Sequence, residues 1–411
     1  MDLTLLGRWI AEHATATDDH DLLLTGFCEA LAGAGIPVWR VSVMTPALDP
    51  MLRGVSLNWH AGEGMSFVAN AHGSDEESDW LFSPVYALVE KGETFGRWRL
   101  DAPDLEADFP VLKALGAQGG VDYVLHIVEF APGTALQGIA VSFCTRDVSG
   151  FTEGHLSAIA DVLPFLTLAI AKIGLAHTFR EVSATYLGRS TAERILNGQI
   201  RRGEGRAVPA AILLTDLRGF TALADRVDPA DMVTWLNEHF DALGDPVARH
   251  GGEILKFLGD GFLAIFPVPD AGTLPCPVCG GALDAAIDGL AANAALNARR
   301  RTAGLPELAA ECVVHFGTVI YGNVGTERRL DFTIIGRAVN EASRIESQCA
   351  ALGHELLVSD SFAERCARRL EPVGTIELRG LSRPMRVWTV PEEPSGAASA
   401  EQGTGSPART V

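Results

Sequence analysis

Apolar positions recur every three to four residues in LLGRWIAEHA and HDLLLTGFCEALAGAG, which predicts helices over residues 1–33, closed by Gly33 and Gly35. The period then changes to two. VWRVSVMTPAL and LRGVSLNWHAG read as strands, and VDYVLHIVEF and LQGIAVSFCTR alternate as an antiparallel pair joined by APGTA. A long helix is predicted from FTEGHLSAIADVLPFLTLAIAKIGLA, with Thr152 as its cap and Glu153 in its first turn. Helix, strands, helix make an α+β domain over residues 1–176. Residues 177–206 read as a helical connector ending in a basic, Gly-broken stretch, either a signal carrier or a passive spacer.

A second pattern starts at Ala207. AVPAAILLTD is a strand, GFTALADRVDPADMVTWLNEHFDALGDPVARHGG has helical periodicity, and EILKFLGDGFLAIF is a hairpin. An Ala-rich helix, the strand-and-turn LAAECVVHFGTVIYGNVG, the strand RLDFTIIG, the helix AVNEASRIESQCAAL and two closing strands follow. Hairpins mixed with helices argue for an α+β sandwich over 207–391, not a purely parallel sheet. Residues 392–411 are small and polar and are expected to be disordered.

Composition narrows the partners. The chain has 411 residues, 33 Lys and Arg against 52 Asp and Glu, and a net charge of −19. That balance argues against nucleic acid, whose binding rests on phosphate neutralisation. A small anion needs only a few local cations and stays open. The start, MDLTLLGRWIAEHA, lacks the pattern of a secretory signal, and VLPFLTLAIAKIGLA (162–176) is short for a membrane span and carries Lys172. Seven cysteines, mostly isolated in apolar settings, fit reduced thiols in a cytoplasm.

Two acids stand out. Asp216 ends an apolar strand before a Gly-containing turn in LLTDLRGFTAL, where a helix start can cradle phosphate and an acid can hold Mg²⁺; a plain helix cap is the alternative. Asp260 sits at the tip of the LGDG turn, where Asp-Gly also serves as an ordinary hairpin signal. Acids at two strand ends could share a pair of metal ions.

LLTDLRGFTALAD, EILKFLGDGFLAIF, VVHFGTVIYGNVG and LDFTIIGRAVNEASRIE, in this order and spacing, resemble the catalytic domain of class III nucleotide cyclases. The resemblance implies a ferredoxin-like catalytic fold that turns ATP into 3′,5′-cyclic AMP and pyrophosphate, with two Mg²⁺ or Mn²⁺ ions. It implies metal binding by Asp216 and Asp260 and a phosphate cradle from the amides of Leu217, Arg218, Gly219 and Phe220. Lys256 and Thr333 would read the adenine base, Asn340 would orient the ribose and Arg344 would stabilise the transition state. Arg379, in ELRGLSRP, would replace a lysine that contacts the terminal phosphates. Such sites are shared across a head-to-tail homodimer. The layout of residues 1–176, with FTEGHL opening the last helix, resembles a GAF domain, which implies a sensor for an unknown small-molecule regulator.

Some positions depart from the pattern. Cys276 and Cys279 form a CxxC in what reads as a loop; unligated thiols, a Zn²⁺ site completed from elsewhere and a redox pair all remain open. Glu341 is expected to face solvent and His315 to be structural. A guanylate cyclase is the rival within the family, with Lys256 against it. A catalytically silent nucleotide-binding regulator is the rival outside it.

Overall fold

The computed structural model describes residues 3–46, 52–71, 80–102, 109–131, 138–269, 274–378 and 384–391. The chain divides into two compact units, Met1–Tyr186 and Leu187–Val411. Arg379 and the tail from 392 onward lie outside the described residues.

The first unit runs α1 (Leu3–Ala16), α2 (His20–Gly33), β1 (Arg40–Pro46), β2 (Leu52–His60), β3 (Gly64–Ala71), α3 (Pro84–Lys91), β4 (Phe95–Arg99), α4 (Pro110–Ala117), β5 (Asp122–Glu129), β6 (Gly138–Thr145) and α5 (Glu153–Leu187). Its six strands pair in the order β3-β2-β1-β6-β5-β4. Alternation sends Ile139, Val141 and Phe143 of β6 to one face and Ala140 and Cys144 to the other. The first face packs on Leu6 and Ile10 of α1, Leu24 and Phe27 of α2, and Ile159, Leu166 and Ile170 of α5. The second packs on Val85 and Leu88 of α3 and Leu112 and Leu115 of α4.

Local chemistry explains the helix starts. The Asp19 carboxylate accepts from the Asp21 and Leu22 amides at α2, and Thr152 Oγ1 accepts from the His155 amide at 3.2 Å at α5. Expected to close at 176, α5 continues to Leu187. Nothing in LAHTFREVSATYL breaks a helix until Gly188, whose φ of 86° takes the chain out.

The second unit runs α6 (Arg189–Leu196), β7 (Gly205–Leu217), α7 (Phe220–Ala224), α8 (Pro229–Arg249), β8 (Glu253–Leu258), β9 (Gly261–Pro267), α9 (Pro275–Thr302), β10 (Ala310–Gly325), β11 (Leu330–Ile335), α10 (Arg337–Glu346), α11 (Cys349–Leu352), β12 (Leu356–Ser359), α12 (Asp360–Ala363), β13 (Glu371–Ile376) and β14 (Met385–Thr389). Its sheet has the order β13-β14-β12-β10-β7-β9-β8, with β11 paired to β10. Among the described residues only β10 and β12 run parallel, so the sheet is mixed and the unit is α+β.

One face of this sheet, with Leu213, Phe262, Ala264, Cys312 and Val314, is covered by Leu243 and Val247 of α8 and Leu283 and Ala286 of α9. The other carries Ile212, Leu214, Ile265 and Val319 against Ala338 and Ala342 of α10. Part of the expected connector belongs to this unit. The Ser190 amide donates to Glu253 Oε1 at 2.8 Å, and Thr191 Oγ1 lies 2.9 Å from the buried Tyr321 hydroxyl, so α6 is docked on β8 and β10.

Candidate active site

Two strand ends bring the acids together. Thr215 Oγ1 accepts from the Phe262 amide at 3.0 Å, tying the end of β7 to the start of β9. Between β8 and β9 the loop is only Gly259-Asp260, with Leu258 paired to Gly261. Gly259 has φ 74°, the positive value that the first position of a primed two-residue turn requires. Gly261 is needed for a different reason. A Cβ there would lie 1.9 Å from the Thr215 carbonyl oxygen, so only glycine lets the turn close onto β7. The close approach sets Asp260 beside Asp216.

The result is a half-buried cluster of carboxyls. Glu311, on β10, pairs directly with Asp216 in the strand register. Burial pushes Asp216 up to about 6, reinforced by the negative charges of Asp260 and Glu311. Asp260 is also raised by burial, opposed by its own amide and that of Leu217. Glu346, the last residue of α10, is pushed up to about 7 by burial and by Asp216, Glu311 and Asp260, and its side chain hydrogen-bonds Asp216. Among the described residues Arg218 is a nearby cation, and its Nε donates to the buried Glu311. A site short of compensating positive charge suits a divalent cation, and an all-oxygen donor set suits Mg²⁺ or Mn²⁺. Among the described residues no three His, Cys, Asp or Glu are arranged to hold a metal alone. Asp216 and Asp260 therefore fit Mg²⁺ in its usual mode, a pair of carboxylates completed by substrate phosphates.

Two of the four amides expected to cradle phosphate already have partners. The Arg218 amide donates to the Ala309 carbonyl at 2.8 Å, and the Leu217 amide serves the Asp216 and Asp260 carboxyls. Of the four, Gly219 and Phe220 stand at the start of α7, where Gly219 has φ 75°.

The other expected site residues are spread over β8, β11 and α10. Lys256 is exposed on β8, and its Nζ lies 2.6 Å from Asp331 Oδ2 on β11. Thr333, buried on the same strand, pairs with Gly322 of β10. Asn340 and Arg344 ride on α10, exposed and half-buried respectively. Among the described residues no hydrogen bond or ion pair joins Lys256, Thr333, Asn340 or Arg344 to Asp216 or Asp260.

Glu341 is a correction. It is buried, accepting from Arg337 Nε at 2.7 Å and lying 3.4 Å from Nε2 of buried His315. These contacts, His315 first, hold its carboxyl below the ordinary range and fasten α10 to β10. The CxxC is another. Both cysteines lie in the first turns of α9, not in a loop, and Cys279 is fully buried with its thiol pushed up to about 12 by burial. A thiol held protonated is a poor zinc ligand and a poor nucleophile, so a Zn²⁺ site has no support here.

Residues 205–391 match the family described as adenylate and guanylate cyclase catalytic domain. "Adenylate cyclase 1" of Rhizobium meliloti (strain 1021) is 30% identical over 197 residues, covering 47% of this chain and 29% of that protein. "Adenylate cyclase" of Anabaena cylindrica is 33% identical over 180 residues, covering 43% of this chain and 34% of that protein. The chain thus spans about a third of the length of these relatives. Among solved structures, the adenylyl cyclase CyaB from P. aeruginosa is 27% identical, covers 46% of this chain and 97% of its own, and has a TM-score of 0.42. The guanylyl cyclase Cya2 is 29% identical, with coverages of 46% and 97% and a TM-score of 0.40. Residues 205–391, a little under half of the chain, are thus similar to the catalytic domain of adenylate and guanylate cyclases.

Proposed function

We propose that this protein is an adenylate cyclase whose active sites are completed by a second copy of the chain. The observation that carries the reading is the cluster at Asp216 and Asp260, where two strand ends hold carboxyls that repel one another. When bound by these two residues and the substrate phosphates, Mg²⁺ or Mn²⁺ supplies activation of the 3′-hydroxyl and neutralises the departing pyrophosphate. The ribose 3′-oxygen attacks the α-phosphorus in line, its proton leaves to solvent, and the bond to the β-phosphate oxygen breaks. Gly219 and Phe220 face phosphate oxygens with their amides. From the partner subunit, the equivalents of Lys256 and Thr333 hold the base. Lys256 donates to an adenine ring nitrogen and the Thr333 hydroxyl accepts from the amino group. Asn340 orients the ribose, and Arg344 stabilises charge at phosphorus. Among the described residues no hydrogen bond or ion pair joins these four side chains to Asp216 or Asp260 within one chain, which supports a shared site. The first unit, with its sheet between two helical layers, would act as a GAF-like sensor that sets the rate.

One observation favours GTP. Asp331 beside Lys256 supplies an acceptor that guanine, with its ring N–H and amino group, could use. Purified protein incubated with ATP or GTP and either metal, with Asp260→Ala as control, decides. Cyclic AMP lost in the variant supports the reading. Cyclic GTP product, cyclic GMP, transfers it to the second substrate. No cyclic nucleotide from folded protein overturns both.

A further inference from the structure

In the first unit, the sheet face turned to α3 and α4 carries polar groups inside an otherwise apolar layer. On β1, Val41 and Val43 enter the core of the other face, so alternation turns Arg40, Ser42 and Met44 to this one. The neighbouring strands add to it in register. Asn58 of β2 and Ser142 of β6 both lie opposite Ser42. Ser42, Asn58 and Ser142 are 2%, 7% and 1% exposed. Arg40 itself is half-buried, and its Nη2 donates to Asn58 Oδ1 at 2.6 Å. Among the described residues its Nε and Nη1 have no partner, yet neither is sealed from solvent.

The charge on Arg40 is uncompensated. Among the described residues no carboxylate pairs with it: Glu63 acts on His60, the neighbour of Arg40 across β1 and β2, and buried Asp122 is held by Arg97 at 2.8 Å. A second cation stands at the same corner of the sheet. The Arg146 guanidinium lies 3.8 Å over the Trp39 ring, and the charges of both arginines reach His60 and Cys144. Burial opposes the Arg40 charge, and a cation drawn out of water is normally paired. Geometry names the partner. Nη2 has two N–H groups and gives one to Asn58, so the other stands beside a free N–H of Nε or Nη1. One edge of the guanidinium is therefore open for two parallel hydrogen bonds, the pattern that a carboxylate or a phosphate accepts. We propose that this face of the first unit binds a small soluble ligand through its oxyanion group, a carboxylate or a phosphate, seated on the open edge of Arg40. The Ser42 and Ser142 hydroxyls supply further donors on the same face. The site gives the regulator of the proposed sensor a chemical class, and it rests on that reading only for its effect on rate.

The test uses the full-length protein in EDTA, with inorganic phosphate or acetate titrated against sodium chloride at constant ionic strength. The melting temperature should rise and saturate with one of the two probes, and which one tells phosphate from carboxylate. Arg40→Met, of similar length but uncharged, should weaken that response at least tenfold. Arg40→Lys keeps the charge and loses the fork, so its response should fall between the two. Arg53→Met, a cation of the same unit stacked on Trp80 at 4.7 Å, should respond as the parent does. Should Arg40→Met unfold, the comparison of Arg40→Lys with Arg53→Met decides. No saturable response to either probe, or an equal response in the parent and the Arg40 variants, overturns the proposal. The sensor reading is judged separately, by the rate of cyclic nucleotide formation with metal restored. A probe that binds through Arg40 and leaves that rate unchanged supports the site and removes the sensor.

Discussion

At Asp216 a carboxyl is kept uncomfortable, and at Glu341 one is kept content. The contrast predicts opposite pH behaviour. Asp216 has its folded value raised, so without metal the folded state binds more protons than the unfolded one between roughly pH 4 and 6, and stability falls as pH rises through that window. Asp216→Asn should therefore melt higher than the parent at pH 7 in EDTA, with the gain gone by pH 4, while cyclase activity is abolished. Thermal melts at the two pH values check it. Glu341 has its folded value lowered, so its contribution is present above the ordinary value of 4.5 and is lost as pH falls through the lowered one. Glu341→Gln should cost about 1–3 kcal/mol at pH 7, as expected for a hydrogen bond to a charged group, and progressively less in acid. Urea titrations at pH 7 and pH 4 measure the difference.

At the scale of elements, the turn between β8 and β9 matters most. Gly261→Ala would drive a Cβ into the Thr215 carbonyl, a backbone atom that cannot swing aside. The expected loss is about 2–3 kcal/mol, the upper range for overpacking, read by urea denaturation, with activity falling further because Asp260 moves from Asp216. The same elements show what could be read without coordinates. Asp216 and Asp260 announce themselves locally, as an acid at a strand end and an acid between two glycines. Glu311 and Glu346 carry no such signal. They reach the cluster through the β7–β10 register and the docking of α10, both set by packing across about a hundred residues. Asp331 was equally silent, since only the fold puts β11 near β8. Glu341 misled because an acid on an amphipathic helix usually faces water; His315, buried opposite, makes the exception. Helix beyond 176 was legible in the connector, where nothing breaks a helix before Gly188; only the boundary between the two helical stretches was not, because they are one continuous α5.

For the whole molecule, the proposed sharing of each site between two chains predicts complementation. Asp260→Ala and Arg344→Ala should each be inactive alone. Mixed and allowed to exchange, half of the dimers would be mixed pairs with one intact site, so activity should return to about a quarter of the parent level if closed twofold pairing holds. A cyclic AMP assay on the mixture reads it, and no recovery would mean that each chain works by itself.

The β7–β10 ladder has a consequence during synthesis. It runs from Gly205 opposite Gly322 to Leu217 opposite Ala310. Strand β7 can pair with β9 early, through residues 210–214, but its other edge waits for a strand about a hundred residues downstream, which at ribosomal speeds is roughly 5–20 s. For that time the nascent catalytic unit displays an unpaired apolar edge, Ala-Ala-Ile-Leu-Leu, to every neighbouring chain. Slower translation or a shortage of chaperones should therefore reduce the yield of this protein through its central strand, well before any defect in its active site is felt.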